Sequence, residues 1–193
     1  MSDQEKISDL LTKLKEKDED NYEHSLRVQR IVDKILTQFD MDDAQKAIIS
    51  TAAVLHDIGN IKISDDLLKK SGRLDMDEYE EVKQHVEYGP QLLKDLDCYS
   101  GIKDLIRHHH ENINGFGYPD GLEGDEIPLG SRIIHVAEAY DSMTAKRSFK
   151  KIVFTTEMAL KDLKDYAGRM YDPKVIEKFL VIQPDLESAE DSQ

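Results

Sequence analysis

The chain has 193 residues, of which 39% are hydrophobic and 34% are charged, a composition typical of one globular domain. Its net charge of −14 disfavours binding to DNA, RNA or an anionic membrane, because like charges repel at long range. The sequence shows no signal peptide and no apolar run that could span a membrane, and its single cysteine, Cys98, cannot form an internal disulfide, so we expect a cytoplasmic protein.

Apolar residues recur with helical spacing through nearly the whole chain. The pattern predicts a lead helix within residues 1–19, a second helix from about Asp20 and a third that runs into His56. A fourth helix is predicted to begin at Asp75, which is a good N-cap, and a bend is predicted at Gly89-Pro90.

Residues 111–130 contain five glycines and two prolines, which predicts a long loop. Helical spacing resumes at Ile133, and no alternating strand pattern of useful length is present. We therefore predict an all-α fold with a single helical domain over residues 20–183 and one functional loop. Residues 1–19 are predicted to be a helical extension, and residues 184–193 a frayed acidic tail.

Seven histidines are present, at positions 24, 56, 85, 108, 109, 110 and 135. A single histidine beside an apolar helical face is usually a packed, hydrogen-bonded residue. His56 is different because Asp57 follows it at a predicted helix end, and a carboxylate has two oxygens with which it can bridge two metal ions.

Other candidate ligands share helix faces or meet at a helix end. Asp20 and His24 are spaced i, i+4, and Glu138 has Asp141 at i+3, so each pair lies on one face of its helix. His109 and His110 cannot share a face of a continuing helix. Adjacent side chains can converge where a helix ends, as the glycine-rich loop after them predicts.

Three motifs make the pattern specific: HDIG at 56–59, HHENINGFGYP at 109–119 and VAEAYDSMT at 136–144. They resemble the HD-GYP family of metal-dependent phosphodiesterases in the HD superfamily, and the resemblance covers about residues 20–181 in the family's order. It implies an HD-type helical domain that hydrolyses cyclic di-GMP to pGpG, and further to GMP, by attack of a metal-bound hydroxide. The implied cofactors are two or three divalent transition-metal ions, with iron or manganese favoured.

The resemblance also assigns metal ligands position by position. They are His24, His56 and Glu138 for one ion, His85, His109 and His110 for the other, and Asp57 as the bridge between them. Asp20 matches a carboxylate that binds a third ion in some members, although a surface or capping role stays open for it. His108 and His135 receive no role and are expected to be structural.

For the substrate, the resemblance implies that Gly117 and Tyr118 shape the pocket loop and that Arg147 and Lys150 contact phosphate. A solvated basic turn at a helix end is the alternative reading of Arg147 and Lys150. Asn60 is expected to lie beside the substrate, and it occupies the place of a lysine that usually follows HDIG.

This departure removes a positive charge, and Lys62 is the candidate to replace it as a catalytic cation. Glu138 stands where the family usually has aspartate. Asn60 and Glu138 are both compatible with slow turnover. They support a second hypothesis, in which the chain is a weakly active, metal-loaded domain that senses nucleotide or docks onto a diguanylate cyclase (GGDEF) partner. A third hypothesis is an HD phosphohydrolase that acts on another nucleotide. The lead helix is open to interpretation as a linker, a homodimer contact or a cap.

Overall fold

The computed structural model describes residues 2–70, 72–95, 101–145 and 153–190, and within these ranges the chain forms helices and no β-strand. The α-helices are α1 (Asp3–Lys17), α2 (Glu19–Leu36), α3 (Asp43–Leu55), α4 (Asp65–Leu68), α5 (Met76–Lys83), α6 (His85–Leu92), α7 (Ile102–Arg107), α8 (Leu129–Thr144), α9 (Thr156–Asp165) and α10 (Pro173–Glu190). Short 3₁₀ helices cover Ile58–Lys62 and Gly124–Glu126. The predicted all-α fold is confirmed. None of the described helices is both long and apolar enough to cross a membrane.

Acidic residues determine where several helices begin. The Asp75 side chain accepts a hydrogen bond from the backbone N–H of Glu78, and the Glu78 carboxylate accepts one from the backbone N–H of Asp75. The fourth predicted helix therefore starts as expected, as α5. Asp18 rather than Asp20 caps α2, so this helix begins slightly earlier than predicted and Asp20 lies in its first turn.

One apolar core surrounds α2, which packs against α1, α3, α8 and α10. The buried face of α2 includes Val28, Val32 and Ile35. Leu14 of α1 is fully buried in the same core, and burial of a leucine side chain stabilises a fold by roughly 1.5–3 kcal/mol. The boundary predicted at residue 20 therefore does not separate α1 from the domain.

α6 continues as a helix through Gly89 and Pro90, where a bend was predicted, and the break between α5 and α6 lies at Gln84. Gly89 has a packing reason to be glycine. A Cβ there would lie 2.9 Å from Cγ2 of Ile106 on α7, so the glycine allows two helices to approach closely.

The end of the chain also differs from the prediction. Residues 184–190 belong to α10, and Leu186 packs against the core, so this stretch is not a frayed tail. The predicted domain ends at residue 183. The apolar face of α10 continues from Ile182 past that position to Leu186. Residues 191–193 lie outside the described residues.

Candidate metal centre

The structure brings the ligands predicted for two metal ions, which come from separate helices and their ends, into one cluster. Their potential ligand atoms form three overlapping groups, within each of which all atoms lie within 4.8 Å of one another. The groups are His24, His56 and Glu138; His85, His109 and His110; and His56, Asp57 and His109. The first two groups are the two ligand sets that the resemblance implies, and the third connects them.

Gly59 fixes the position of the His56-Asp57 pair against α6. His56 ends α3, and Asp57 precedes the 3₁₀ helix Ile58–Lys62. A Cβ on Gly59 would lie 1.9 Å from the backbone oxygen of His85. Only glycine permits this approach of two backbones, which places the pair beside His85.

Three of the histidines are oriented in the same way by backbone carbonyls. The Nδ1–H groups of His56, His85 and His109 donate to the carbonyl oxygens three residues earlier, at 2.7, 2.8 and 2.6 Å respectively. A carbonyl can only accept, so the proton of each neutral ring lies on Nδ1 and the lone pair on Nε2. Nε2 of His56 is buried and has no hydrogen-bond partner in the described part of the chain. This arrangement is typical of histidines that bind metals through Nε2.

His24 is oriented by a side chain instead. Its Nδ1 lies 2.6 Å from Oδ2 of Asp141 on α8, and Arg27 donates to both oxygens of the same carboxylate. Burial raises the pKa of Asp141, but the hydrogen bonds from His24 and Arg27 outweigh this effect and hold the pKa below its ordinary value. Asp141 is therefore a carboxylate that fixes the His24 ring.

The two oxygens of Asp57 face different ligand groups. Oδ2 lies 3.6 Å from Nε2 of His56, and Oδ1 lies 3.5 Å from Nε2 of His85. Burial raises the pKa of Asp57, but the neighbouring imidazoles outweigh it and hold the pKa below its ordinary value. Asp57 is thus a carboxylate that contacts both groups, which is the geometry a bridging ligand requires.

Burial keeps the imidazoles of His56, His109 and His110 neutral near pH 7. It lowers the pKa of His56 to about 4, although the charge of Asp57 opposes this. Burial and the neighbouring histidines lower the pKa values of His109 and His110 well below their ordinary value. Neutral imidazoles are the form that binds a metal ion.

The loop that follows His110 is folded back onto the cluster by Glu111. The buried Glu111 carboxylate accepts hydrogen bonds from the backbone N–H groups of Asp120 and Gly121 at 2.7 and 3.1 Å. A Cβ on Gly117 would lie 2.2 Å from the backbone nitrogen of Asn112, so glycine is required there too. The Tyr118 ring consequently stacks on the His110 ring, with centroids 4.9 Å apart.

The cluster opens into a cavity of about 220 Å³. Its lining includes Asp57, Asn60, His85, His110 and Tyr118, together with Asp18, Asn21, Leu68, Val82 and Glu138. A larger groove of about 460 Å³ lies between α1, α2 and α3, but no histidine or carboxylate lines it. The smaller cavity is therefore the one with chemistry that suits metals and a polar substrate.

A family model described as HD domain matches residues 9–175. The chain belongs to the HD-domain family. The resemblance of its motifs to HD-GYP proteins is confirmed by the relatives below.

Three curated relatives of this HD domain illustrate the similarity. The 3'3'-cGAMP-specific phosphodiesterase 2 of Vibrio cholerae is 34% identical over 81% of the chain, which corresponds to 30% of the relative. The cyclic di-GMP phosphodiesterase response regulator RpfG of Xanthomonas campestris is 36% identical over 80% of the chain and 41% of the relative. A cyclic di-GMP phosphodiesterase of Thermotoga maritima is 33% identical over 93% of the chain and 50% of the relative. The chain thus spans at most half the length of these proteins.

Solved structures share the fold of this HD domain. The cyclic GMP-AMP specific phosphodiesterase V-cGAP3 of V. cholerae superposes with a TM-score of 0.70 at 23% identity, over 97% of this chain and 50% of that one. The PgpH HD domain of L. monocytogenes, in complex with cyclic-di-AMP, gives a TM-score of 0.60 at 16% identity, over 88% of this chain and 92% of that one.

The other residues that were predicted to act in the site do not join the three ligand groups within the described part of the chain. Lys62 was expected to act as a catalytic cation. It is exposed and does not line the cavity, so the structure does not bring it to the cluster. Asp20 is part-buried on α2 and belongs to none of the three ligand groups, and its role towards a third ion stays a prediction. Arg147 and Lys150 lie outside the described residues.

His108 and His135 have structural contacts in the HD domain. His108 contacts the Asp104 carbonyl at 2.9 Å and the Asp120 carboxylate at 3.1 Å. His135 is buried, which lowers its pKa to about 4, and it is hydrogen-bonded to the Glu111 backbone. Neither belongs to a ligand group in the described part of the chain.

Sequence reasoning missed several residues that shape the site. Asp141 shares a face with Glu138, but its contact with His24 was not foreseen. Glu111 is part of the HHE motif, which was the available signal for its role in the loop. Asp18 and Asn21 line the cavity without any motif that indicates it.

Proposed function

We propose that this HD domain is a metal-dependent phosphodiesterase that hydrolyses a cyclic dinucleotide, with cyclic di-GMP as the first candidate. The observation that carries the proposal is the pair of ligand groups with the Asp57 carboxylate between them, one made of His24, His56 and Glu138 and the other of His85, His109 and His110. The curated relatives support the substrate class, because their names specify cyclic di-GMP or 3'3'-cGAMP.

The residues present fit divalent transition-metal ions. Mixed imidazole and carboxylate donors suit iron, manganese or zinc better than magnesium or calcium, which prefer all-oxygen shells. His24, His56 and Glu138 are proposed to hold one ion, His85, His109 and His110 the other, and Asp57 both. The resemblance favours iron or manganese. Bound ions supply Lewis-acid activation of water and offset negative charge on the phosphate.

Residues of the chain orient the ligands of this centre and give the cavity wall its negative charge. The backbone carbonyls direct each Nε2 lone pair into the cluster, and Asp141 holds the His24 ring. Asp18, Asp57 and Glu138 make the cavity wall acidic, so an anionic phosphodiester requires bound cations to enter it. Gly117 and Tyr118 belong to the loop beside the cavity, where the Tyr118 ring lines the wall and stacks on His110.

Purified protein loaded with manganese or iron tests the proposal in a panel of cyclic di-GMP, 3'3'-cGAMP and cyclic di-AMP. We expect hydrolysis of a guanine-containing member to linear pGpG or its counterpart, and slower conversion to GMP, with about two ions per chain by elemental analysis. No hydrolysis of any member by metal-loaded protein would contradict the proposed activity. Preference for a nucleotide outside the panel would favour another HD phosphohydrolase.

A second candidate is a weakly active domain that binds nucleotide or docks onto a GGDEF protein. Asn60 favours it, since the buried amide supplies no positive charge where a lysine is usual. Tight nucleotide binding without turnover supports this candidate, whereas turnover at rates typical of enzymes excludes it. The cytoplasmic location and homodimer formation also remain proposals, and size-exclusion chromatography with light scattering tests the latter.

A further inference from the structure

The cavity has an imbalance of charge for a phosphate-containing substrate. Asp18, Asp57 and Glu138 line it, and no lysine or arginine of the described ranges does. Asn60 takes the position where a lysine is usual, and Lys62 is exposed elsewhere. Within the described ranges, a cation that acts on this cavity therefore comes from outside its lining residues.

Lys83, on α5, lies at the rim of the cavity, by which we mean Tyr79, Lys83 and Tyr118. Its Nζ is 5.2 Å from the centroid of the Tyr118 ring and 5.3 Å from that of Tyr79. Tyr118 lines the cavity, as do Val82 and His85, which lie one and two positions from Lys83 in the chain. The ammonium group is thus one aromatic ring away from His110, on which Tyr118 stacks.

The contacts of Lys83 restrict the position of its ammonium group but allow its ion-pair partner to be replaced. Cation-π contacts with two rings restrict the long side chain. Its ion pair with Glu80, at 2.7 Å, involves a carboxylate that is 63% exposed. Such exposed pairs contribute little free energy, so a phosphate oxygen can replace the Glu80 oxygen at small cost. An ammonium group offers three donors to such an oxygen.

We propose that Lys83 binds a phosphate of the substrate at the rim and supplies from α5 the positive charge that Asn60 does not. Lys83 is a substrate-binding residue in this proposal, and the Tyr79 and Tyr118 rings position it. The inference rests on the proposed function only in that the substrate is a cyclic dinucleotide with phosphodiester groups.

Calorimetric binding of the slowly hydrolysed bisphosphorothioate analogue of cyclic di-GMP to manganese-loaded protein tests the proposal directly. We expect Lys83→Met, which retains the apolar stem, to bind the analogue about tenfold more weakly, because a charge-assisted hydrogen bond is lost. Lys83→Arg should bind close to wild type. Lys161→Met is the matched control, since Lys161 forms a similar intrahelical pair with Asp165 and does not line the cavity.

Two further measurements separate binding from a merely structural role. Lys83→Met should raise KM more than it lowers kcat, and its affinity should depend less on ionic strength than that of wild type. Adding Asn60→Lys to Lys83→Met should restore affinity, because a cation returns to the cavity. Thermal unfolding of each variant checks that the fold is retained.

Equal affinity of wild type and a folded Lys83→Met would overturn the inference, as would an equal loss in Lys83→Arg. These outcomes are distinct from failure of the proposed function. Lys83-dependent binding of the analogue without any hydrolysis supports the inference and contradicts the activity. Hydrolysis at the same rate and affinity with and without the Lys83 ammonium group supports the activity and contradicts the inference.

Discussion

The histidine cluster and the rim of the same cavity differ in how their side chains are fixed. His24, His56 and His109 are at most 1% exposed, and each has a hydrogen bond at 2.6 or 2.7 Å that sets its ring. At the rim, Tyr79 is 50% exposed, and Lys83 is held by ring faces and an exposed ion pair. Buried hydrogen bonds specify one geometry, whereas exposed contacts allow adjustment. We therefore expect changes in the cluster to have large effects and changes near the rim to have small ones.

The largest effect is expected for Asp57→Ala, which removes the carboxylate that contacts both ligand groups. We expect metal binding and hydrolysis to be lost together, because each group loses a shared ligand and two sets of imidazoles face each other without a negative charge between them. Elemental analysis after dialysis measures the ions. Asp66→Ala, at an exposed position of α4, is the control. An unchanged ion content in Asp57→Ala would refute the bridging role.

Gly59→Ala should disturb the cluster through the backbone. The added Cβ would lie 1.9 Å from the His85 oxygen, so α6 must move, and we expect the free energy of unfolding to fall by roughly 1–3 kcal/mol. Denaturant unfolding of the metal-free protein measures this. Gly72→Ala is the matched control, since no heavy atom lies within 4 Å of its Cβ position, and its effect should stay within about 0.5 kcal/mol. Equal stability of the two variants would contradict this account of Gly59.

Asp141→Ala tests the support of the His24 ring, which this carboxylate orients. Loss of such a partner typically weakens metal affinity by about 10–100-fold. We expect this loss in a competition titration with a chelator, and a smaller loss in Asp141→Asn, whose amide oxygen still accepts from Nδ1 of His24. Wild-type affinity in Asp141→Ala would show that the ring needs no such support.

The smallest effect is expected for Asn60→Lys, at a buried position in the wall of the cavity. A cation there should raise kcat by up to about tenfold if the missing charge limits the rate. Steady-state kinetics with cyclic di-GMP measures the change, and Lys62→Ala should leave the rate unaltered because Lys62 is exposed and outside the cavity. An unaltered kcat in Asn60→Lys would indicate that charge at this position does not limit turnover.

The same division explains what could be predicted from the sequence. Helical periodicity and N-caps such as Asp75 are local, so the fold class and several helix starts were predictable. The contact between His24 and Asp141 joins residues 117 positions apart, and no local pattern indicates it. The close packing of Gly89 against α7 was not predicted, because sequence alone does not distinguish a turn glycine from one at a close helix crossing. Lys62 was assigned by its distance along the chain, which does not determine where a side chain points.

The bonds from His56, His85 and His109 to carbonyls three residues back have a thermodynamic consequence. Each ring is anchored to the final turn of the helix that precedes it, so its rotamer is selected when that helix folds. The loss of conformational entropy of these side chains therefore occurs during folding and does not occur again when an ion binds. Ion uptake should therefore require little rearrangement, and its affinity should report on ligand chemistry more than on conformational ordering.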